Sequence, residues 1–239
     1  MSYEDIAPYY DDAMTDYSWC SAFLNELLPP SSHALLELGC GTGRILDMVQ
    51  THADVIAGID ISPAMLRYAA LRVPQARLHC MDMSNFNLGM KFDVILCLFD
   101  TMNHLHSISA WRSCIQNVSR HLPPRGMFIM DMNTPGRLSR ISLFPPDIRR
   151  LSHGGVMLME VIERNPDLFD FSTEIYAPEP GGMFSYHKTV IREYAPEPAE
   201  VYDLLGGHFG SIRVYDEDNQ ISDDLTATQD GRVFFVCTL

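Results

Sequence analysis

The chain has 239 residues, 46% of them hydrophobic, enough to bury one full core and carry an added lid. Seventeen basic against 31 acidic residues give a formal charge of −14, which repels phosphate backbones and argues against nucleic acid as the main partner; a small cationic or neutral substrate fits better. No charged n-region with an apolar h-region opens the chain, no apolar run approaches membrane-spanning length, and six cysteines without a Cys-x-x-Cys pair read as reduced thiols, so a cytoplasmic monomer or homodimer is expected.

Residues 3 to 28 concentrate aromatic side chains (Tyr3, Tyr9, Tyr10, Tyr17, Trp19) and end in a helical run, Cys20 to Leu28, with apolar residues at three-to-four spacing. The segment reads as a helix packed on the domain, or as a cap over the glycine-rich turn downstream. From Ala34 to Met132 strands and helices alternate: strand 34 to 38, helix 43 to 51, strand 54 to 59, helix 63 to 72, strands 76 to 81 and 92 to 97, helix 108 to 121, strand 126 to 131. Alternation with short connections predicts a parallel sheet covered on both faces, whose ligands bind beyond the carboxyl ends of the strands.

The stretch Leu35 to Arg44 stands out within this alternation. An apolar run ends in Gly39, Gly41 and Gly43, and a helix-compatible run begins at Arg44, so backbone can lie against a ligand beside a helix N-terminus. Arg44 occupies the place of the third glycine of a dinucleotide fingerprint, which weakens the pyrophosphate reading. Asp60, at the tip of the second strand, is placed to accept both hydroxyls of a ribose, and Glu37 adds a second acid, a combination suited to a cationic ligand.

Beyond Pro135 the pattern changes. Val156 to Ile162, Phe169 to Tyr176 and Met183 to Ile191 read as antiparallel strands broken by Asn165-Pro-Asp167 and Pro178-Glu-Pro-Gly-Gly182. They predict an inserted lid of about three strands. A last helix from Pro196 ends at Gly206-Gly207, and strands 212 to 215 and 233 to 238 form a closing hairpin around a long acidic loop, Asp216 to Asp230.

Glu37-Leu-Gly-Cys-Gly-Thr-Gly43, Asp60-Ile-Ser-Pro-Ala-Met65, Met81-Asp-Met83 and Phe92-Asp-Val-Ile-Leu-Cys97 come one after another in the order of the motifs of class I S-adenosylmethionine-dependent methyltransferases, which the chain resembles. The resemblance implies a Rossmann-like α/β fold: a seven-stranded sheet with helices on both faces and an inserted antiparallel β lid. It divides the chain into a helical cap (1–33), a core binding S-adenosyl-L-methionine (34–135 and 193–239) and a lid over the acceptor site (136–192). It implies that Gly39 and Gly41 lie against the methionine part, Asp60 holds the ribose, Ile61 and Met83 sandwich adenine, and Asp82 accepts from its amino group. For Ile61 and Met83 the alternative is an ordinary core position, and for Asp60 and Asp82 a cap or turn. The same resemblance adds Tyr17, Glu37, Cys40, Gly43, Arg44, Met65, Leu98 and Phe99 to the cofactor side.

The N-terminal residues Tyr3, Tyr10-Asp11, Met14, Asp16-Tyr17 and Trp19 resemble the corresponding segment of small-molecule members that include nucleotide-sugar N,N-dimethyltransferases, and this implies that Tyr10 faces the acceptor. The turn Leu98 to Leu105 resembles that of sugar and glycine N-methyltransferases and implies that Asn103 and His104 lie beside the transferred methyl. His104 can accept the acceptor's proton, its unperturbed pKa being near ~6.5, or can cap the following helix or pack on a tyrosine. Asp131 and Asn133 read as substrate-side or loop-shaping residues, Arg192 and Tyr194 as further acceptor-side candidates, and Lys188 and Glu193 as an exposed salt-bridged strand. His106 suggests no metal site without a third ligand. The expected activity is methyl transfer to an amine or hydroxyl of a small metabolite, with S-adenosyl-L-homocysteine as product. A cofactor-binding scaffold without turnover and an NAD-dependent oxidoreductase are the alternatives.

Overall fold

The computed structural model describes residues 3–14, 17–216, 218, 220–221 and 230–239, without the side chains of Ser18 and Trp19. Asp16, the Trp19 side chain and most of the acidic stretch from 216 to 230, all noted in the sequence, lie outside the described residues.

Two short helices, α1 (Ala7–Ala13) and α2 (Ser18–Leu27), precede the core. Then come β1 (Ser32–Leu38), α3 (Arg44–Val49), β2 (Ala53–Asp60), α4 (Pro63–Arg72), β3 (Arg77–Cys80), β4 (Val94–Cys97), α5 (Ile108–His121) and β5 (Met127–Asn133). Helix starts obey local chemistry. Ser62 and Ser107 accept the backbone N–H groups of Met65 and Ala110, and Pro63 occupies the first turn where its missing donor is not needed. In α5 the buried residues Trp111, Cys114, Ile115 and Val118 recur at helical spacing and make one apolar stripe.

Next come α6 (Pro135–Ser142) and four strands, β6 (Asp147–Arg150), β7 (Val156–Asn165), β8 (Leu168–Glu179) and β9 (Met183–Tyr194). The chain returns through α7 (Pro198–Gly206), β10 (Ser211–Tyr215) and β11 (Arg232–Thr238). The large sheet has the order β10-β11-β5-β4-β1-β2-β3; all described pairings are parallel except those of β11 with β5 and β10. Leu36 and Leu38 enter the cluster containing α5, whereas Leu35 enters the one containing Phe23 of α2 and Leu46 of α3, so the sheet is buried on both faces.

The expected α/β architecture with an inserted antiparallel sheet is present. The insertion has four strands, not three: β6, of sequence Asp-Ile-Arg-Arg, pairs with β7 although its side chains are mostly exposed and carry no apolar alternation. The helix α6 is likewise hidden behind a change of pattern at Pro135, yet Thr134 caps it by accepting the Arg137 N–H. Pro178 sits within β8, opposite Phe184, and the hairpin turns at Gly181 and Gly182, both at positive φ.

Candidate active site

The carboxyl ends of β1, β2, β3 and β4 surround a cavity of about 420 Å³, closed from above by Tyr3 and Tyr10. A second cavity of about 390 Å³ lies between the end of β5, α1, α6 and the inner face of the inserted sheet. Tyr3, Tyr10, Phe99 and His104 line both, so the two spaces meet at one shared wall. A third, small recess of about 40 Å³ runs under Tyr17 toward Glu37, Cys40, Arg44 and Leu98.

The glycine loop forms the floor. Gly39 has φ +62°, and a Cβ there would overlap the Thr101 methyl, so the turn admits no side chain. Gly41, at φ +51°, has no heavy atom within 4 Å of where its Cβ would be: its open side is the cavity. Gly43, left-handed at φ +80°, starts α3 against Ala69. Cys40 donates its backbone N–H to Ile59 at 3.0 Å and is buried.

Asp60 Oδ2 accepts the Gly41 N–H and Oδ1 the Ser62 N–H, both at 2.8 Å. A carboxylate has about four lone-pair positions, so both oxygens can still accept. Burial pushes the Asp60 carboxyl up, against the pull of its backbone donors. Glu37 is buried with Oε2 unpartnered among the described residues; burial, then the charge of Asp60, holds its pKa well above the carboxylate range. Asp82 caps the next turn through Oδ1, which accepts the Ser84 N–H at 2.7 Å, and lines the cavity with Met83, Met65 and Ile61. Ile61 is 68% exposed, so it is not a core residue.

The cap is fastened at Asp11. Its carboxylate accepts from Thr42 Oγ1 at 2.7 Å, Arg44 at 3.1 Å and Arg72 at 2.5 Å. Arg44 also lies 5.0 Å from the centre of the Tyr17 ring, which packs on Phe99 at 4.5 Å. Burial pushes the Tyr17 hydroxyl up to about 12.

At the shared wall, Tyr3 Oη lies 3.0 Å from His104 Nε2, while His104 Nδ1 is buried without a partner among the described residues. Burial holds the imidazole below its ordinary pKa, against the charge of Asp100, so it is neutral near pH 7. Tyr10 contacts Tyr3 edge to face, at 6.1 Å between rings. Burial raises both phenols well above their usual range, which keeps them protonated.

Other predicted residues lie elsewhere. Asn103 is fully buried and spends its amide on the backbone of Asn133 and on the Tyr194 carbonyl, tying the turn after β4 to β5 and β9. Arg192 pairs with Asp170 at 2.8 Å, and neither it nor Tyr194 lines either large cavity. Between them Glu193, read in the sequence as exposed, is only 2% exposed and lines the second cavity; strand alternation puts it on the opposite face from its two neighbours. Arg232, absent from the sequence reading, donates to Asp131 and, at 2.7 Å, to Asp100. Tyr3 joins the shared wall, and Glu193 the second cavity, only in three dimensions. Among the described residues no group of three His, Cys, Asp or Glu side chains is arranged to hold a metal.

Residues 35–126 match the family model described as a methyltransferase domain. The chain is 35% identical over 102 residues to dTDP-4-amino-2,3,4,6-tetradeoxy-D-glucose N,N-dimethyltransferase of Saccharopolyspora spinosa (43% of this chain, 41% of the relative). It is 31% identical to dTDP-3-amino-3,4,6-trideoxy-alpha-D-glucopyranose N,N-dimethyltransferase of Streptomyces venezuelae, over 43% of each chain. The matches thus span about two fifths of these relatives. Its fold is that of an S-adenosylmethionine-dependent methyltransferase from Clostridium acetobutylicum, with TM-score 0.83 and 24% identity over 99% of this chain and 98% of the other. Residues 35–126 thus carry a methyltransferase domain, and the motif order and the sheet with its one reversed strand give the whole chain the fold of class I S-adenosylmethionine-dependent methyltransferases.

Proposed function

We propose that this protein is a methyltransferase of EC class 2.1.1 that moves a methyl group from S-adenosyl-L-methionine to an amine of a small metabolite. The observation that carries this reading is the wall common to the two large cavities: a donor in one and an acceptor in the other would meet across Tyr3, Tyr10, Phe99 and His104. The names of the amino-sugar dimethyltransferases it resembles support the amine.

The first cavity suits the donor on its own chemistry. Gly41 leaves open space where a Cβ would intrude, Asp60 keeps acceptor capacity for two hydroxyls, and the unpartnered Glu37 oxygen fits an ammonium group. Asp82, Ile61 and Met83 would border adenine, while Cys40, Gly43, Arg44, Tyr17, Leu98 and Phe99 shape the methionine end. When bound, S-adenosyl-L-methionine supplies a methyl on a sulfonium, already activated for in-line displacement. The protein's share is orientation and exclusion of water. Tyr3 and Tyr10 close the cap over the donor, and the inserted sheet acts as the lid over the acceptor. His104 lines both cavities and, neutral near pH 7, is the group that would take the proton an ammonium must lose before it attacks.

All six cysteines are free, which fits work in the reducing cytoplasm; among the described residues no helix is long and apolar enough to cross a membrane. The test is calorimetric titration with S-adenosyl-L-methionine, S-adenosyl-L-homocysteine and NAD, then assay of S-adenosyl-L-homocysteine formation with dTDP-amino sugars and simpler amines. Binding of the first two with amine-dependent turnover supports the reading. Binding of NAD alone overturns it, and tight cofactor binding with no turnover on any acceptor favours a scaffold.

A further inference from the structure

At the core end of the second cavity, beneath the shared wall, the described residues gather three carboxyl groups, Asp100, Asp131 and Glu193, around one guanidinium, Arg232. Arg232 is divided between Asp100 and Asp131, and Asp131 is fully buried behind the wall. Glu193 lines the same cavity as Asp100 and accepts from Asn133 Nδ2 at 3.4 Å. Of the three, Asp100 and Glu193 line the cavity, close to His104.

The arrangement is held against its own cost. Phe99 and Asp100 both have positive φ, 60° and 51°, a strained conformation for residues with a side chain, and the Asp100 N–H donates to Asp131 Oδ1 at 2.9 Å. Buried carboxyls facing like charges are disfavoured unless a cation completes them. Arg232 pairs with Asp100 and Asp131.

We propose that Asp100 and Glu193 form the acceptor-selecting anchor of the second cavity, a carboxyl pair that seats an amino group as its ammonium and discriminates against the matching alcohol. This deepens the amine-methyltransferase function and rests on it. An ammonium brings three donors and a positive charge; a hydroxyl brings one donor and no charge. The pair therefore sets which acceptor enters, while His104, on the shared wall, receives the proton. Burial, then the charge of Asp100, raises the Glu193 carboxyl well above its ordinary range. Charged or titratable groups that line the same cavity as Glu193 include Tyr3, Asp100, His104, Arg137, Arg149, Glu160 and Arg232.

The test uses the full chain saturated with S-adenosyl-L-homocysteine and two matched probe pairs: dTDP-4-amino-2,3,4,6-tetradeoxy-D-glucose with its 4-hydroxy counterpart, and cyclohexylamine with cyclohexanol. Calorimetry should give amine affinities at least about tenfold above those of the alcohols, the scale of a charged hydrogen bond. Glu193→Gln, isosteric and able to keep the Asn133 contact, should erase that preference while leaving S-adenosyl-L-homocysteine affinity within about twofold. Asp100→Asn should do the same if it folds. Equal binding of amine and alcohol, no amine binding in the cofactor-loaded protein, or a preference that survives Glu193→Gln each overturns the anchor. Failure to bind S-adenosyl-L-homocysteine at all removes the methyltransferase reading itself, a result separate from the acceptor comparison.

Discussion

Tyr3 Oη and His104 Nε2 are 3.0 Å apart although 101 residues separate them, so the start of the described chain closes directly on the turn after β4. This bond fixes the orientation of the imidazole in the wall shared by the two cavities. Tyr3→Phe removes the bond and little else. Its expected effect is a fall of about three- to tenfold in methyl-transfer kcat, the size of one neutral hydrogen bond, with cofactor Kd unchanged within about threefold. His104→Ala should lower kcat further, by about 10²-fold or more, again at constant cofactor Kd. Paired kinetics and calorimetry separate this outcome from a structural role, in which cofactor affinity would collapse as well.

Gly39 and Gly41 share a backbone conformation but differ in surroundings, and substitution by alanine should divide them. At Gly39 a Cβ meets the Thr101 methyl, so positive φ, at about 1–2 kcal/mol, adds to an overpacking cost of about 1–3 kcal/mol. Gly39→Ala should therefore unfold at clearly lower denaturant. At Gly41 the Cβ enters open cavity. Gly41→Ala should lose only the backbone part of that stability while weakening S-adenosyl-L-methionine binding by at least about tenfold. Denaturant melts of both variants beside cofactor titrations read the difference.

The parts of the site that are legible in the sequence are those made by adjacent residues. The glycine turn, Asp60 at a strand tip and the Ser62-Pro63 helix start each declare themselves within a few positions. The donor cavity is assembled from such turns at neighbouring strand ends, and the strand–helix alternation predicts that they converge. The acceptor cavity is built differently. Arg232 reaches Asp100 across 132 residues of chain, from a strand whose only local signal is its apolar pattern. Glu193 is obscured by the two-residue period of a strand: in a run of mixed polarity, reading one position too far in either direction selects Arg192 or Tyr194, whose side chains do not line the cavity. Asn103 is legible as a polar residue of the right turn, but its amide is consumed in holding three backbone segments together.

Asp11 links helix α1 to the glycine loop through Thr42, Arg44 and Arg72. Burial alone would raise its carboxyl, but the hydrogen bonds from Arg72 and Thr42 and the two guanidinium charges outweigh it and hold the pKa below the ordinary range. The folded state therefore prefers the anion, so this contribution is present above the unfolded pKa of about 3.9 and is lost as pH falls through the lower folded value. Asp11→Asn should cost about 1–3 kcal/mol at pH 7, as removal of a charged hydrogen-bond partner does, and the deficit should shrink below about pH 4. Limited proteolysis should then cut within residues 3–14 faster than in the wild type, and addition of S-adenosyl-L-homocysteine should slow that cutting if the cap closes over the cofactor.

Glu37 exposes a conflict between stability and binding. Its carboxyl is buried, one oxygen has no partner among the described residues, and the charge of Asp60 reinforces the upward push of burial; the Leu46 N–H offsets only part of this. Because the folded pKa lies above the unfolded value of about 4.3, the protonated form is stabilised in the fold. That advantage is full at lower pH and disappears as pH rises through the folded pKa. Glu37→Gln has no proton to lose. Without cofactor, its melting temperature should therefore match the wild type near pH 4 and exceed it increasingly toward pH 8, by at least about 2 °C, the shift expected for about 1 kcal/mol in a chain of this size. The same variant should bind S-adenosyl-L-methionine at least about tenfold more weakly at pH 8, since the anion is what an ammonium group in the recess would meet. A variant more stable yet weaker in binding identifies Glu37 as a group kept for its ligand. Loss of stability at pH 8 would instead make it a structural partner of α3.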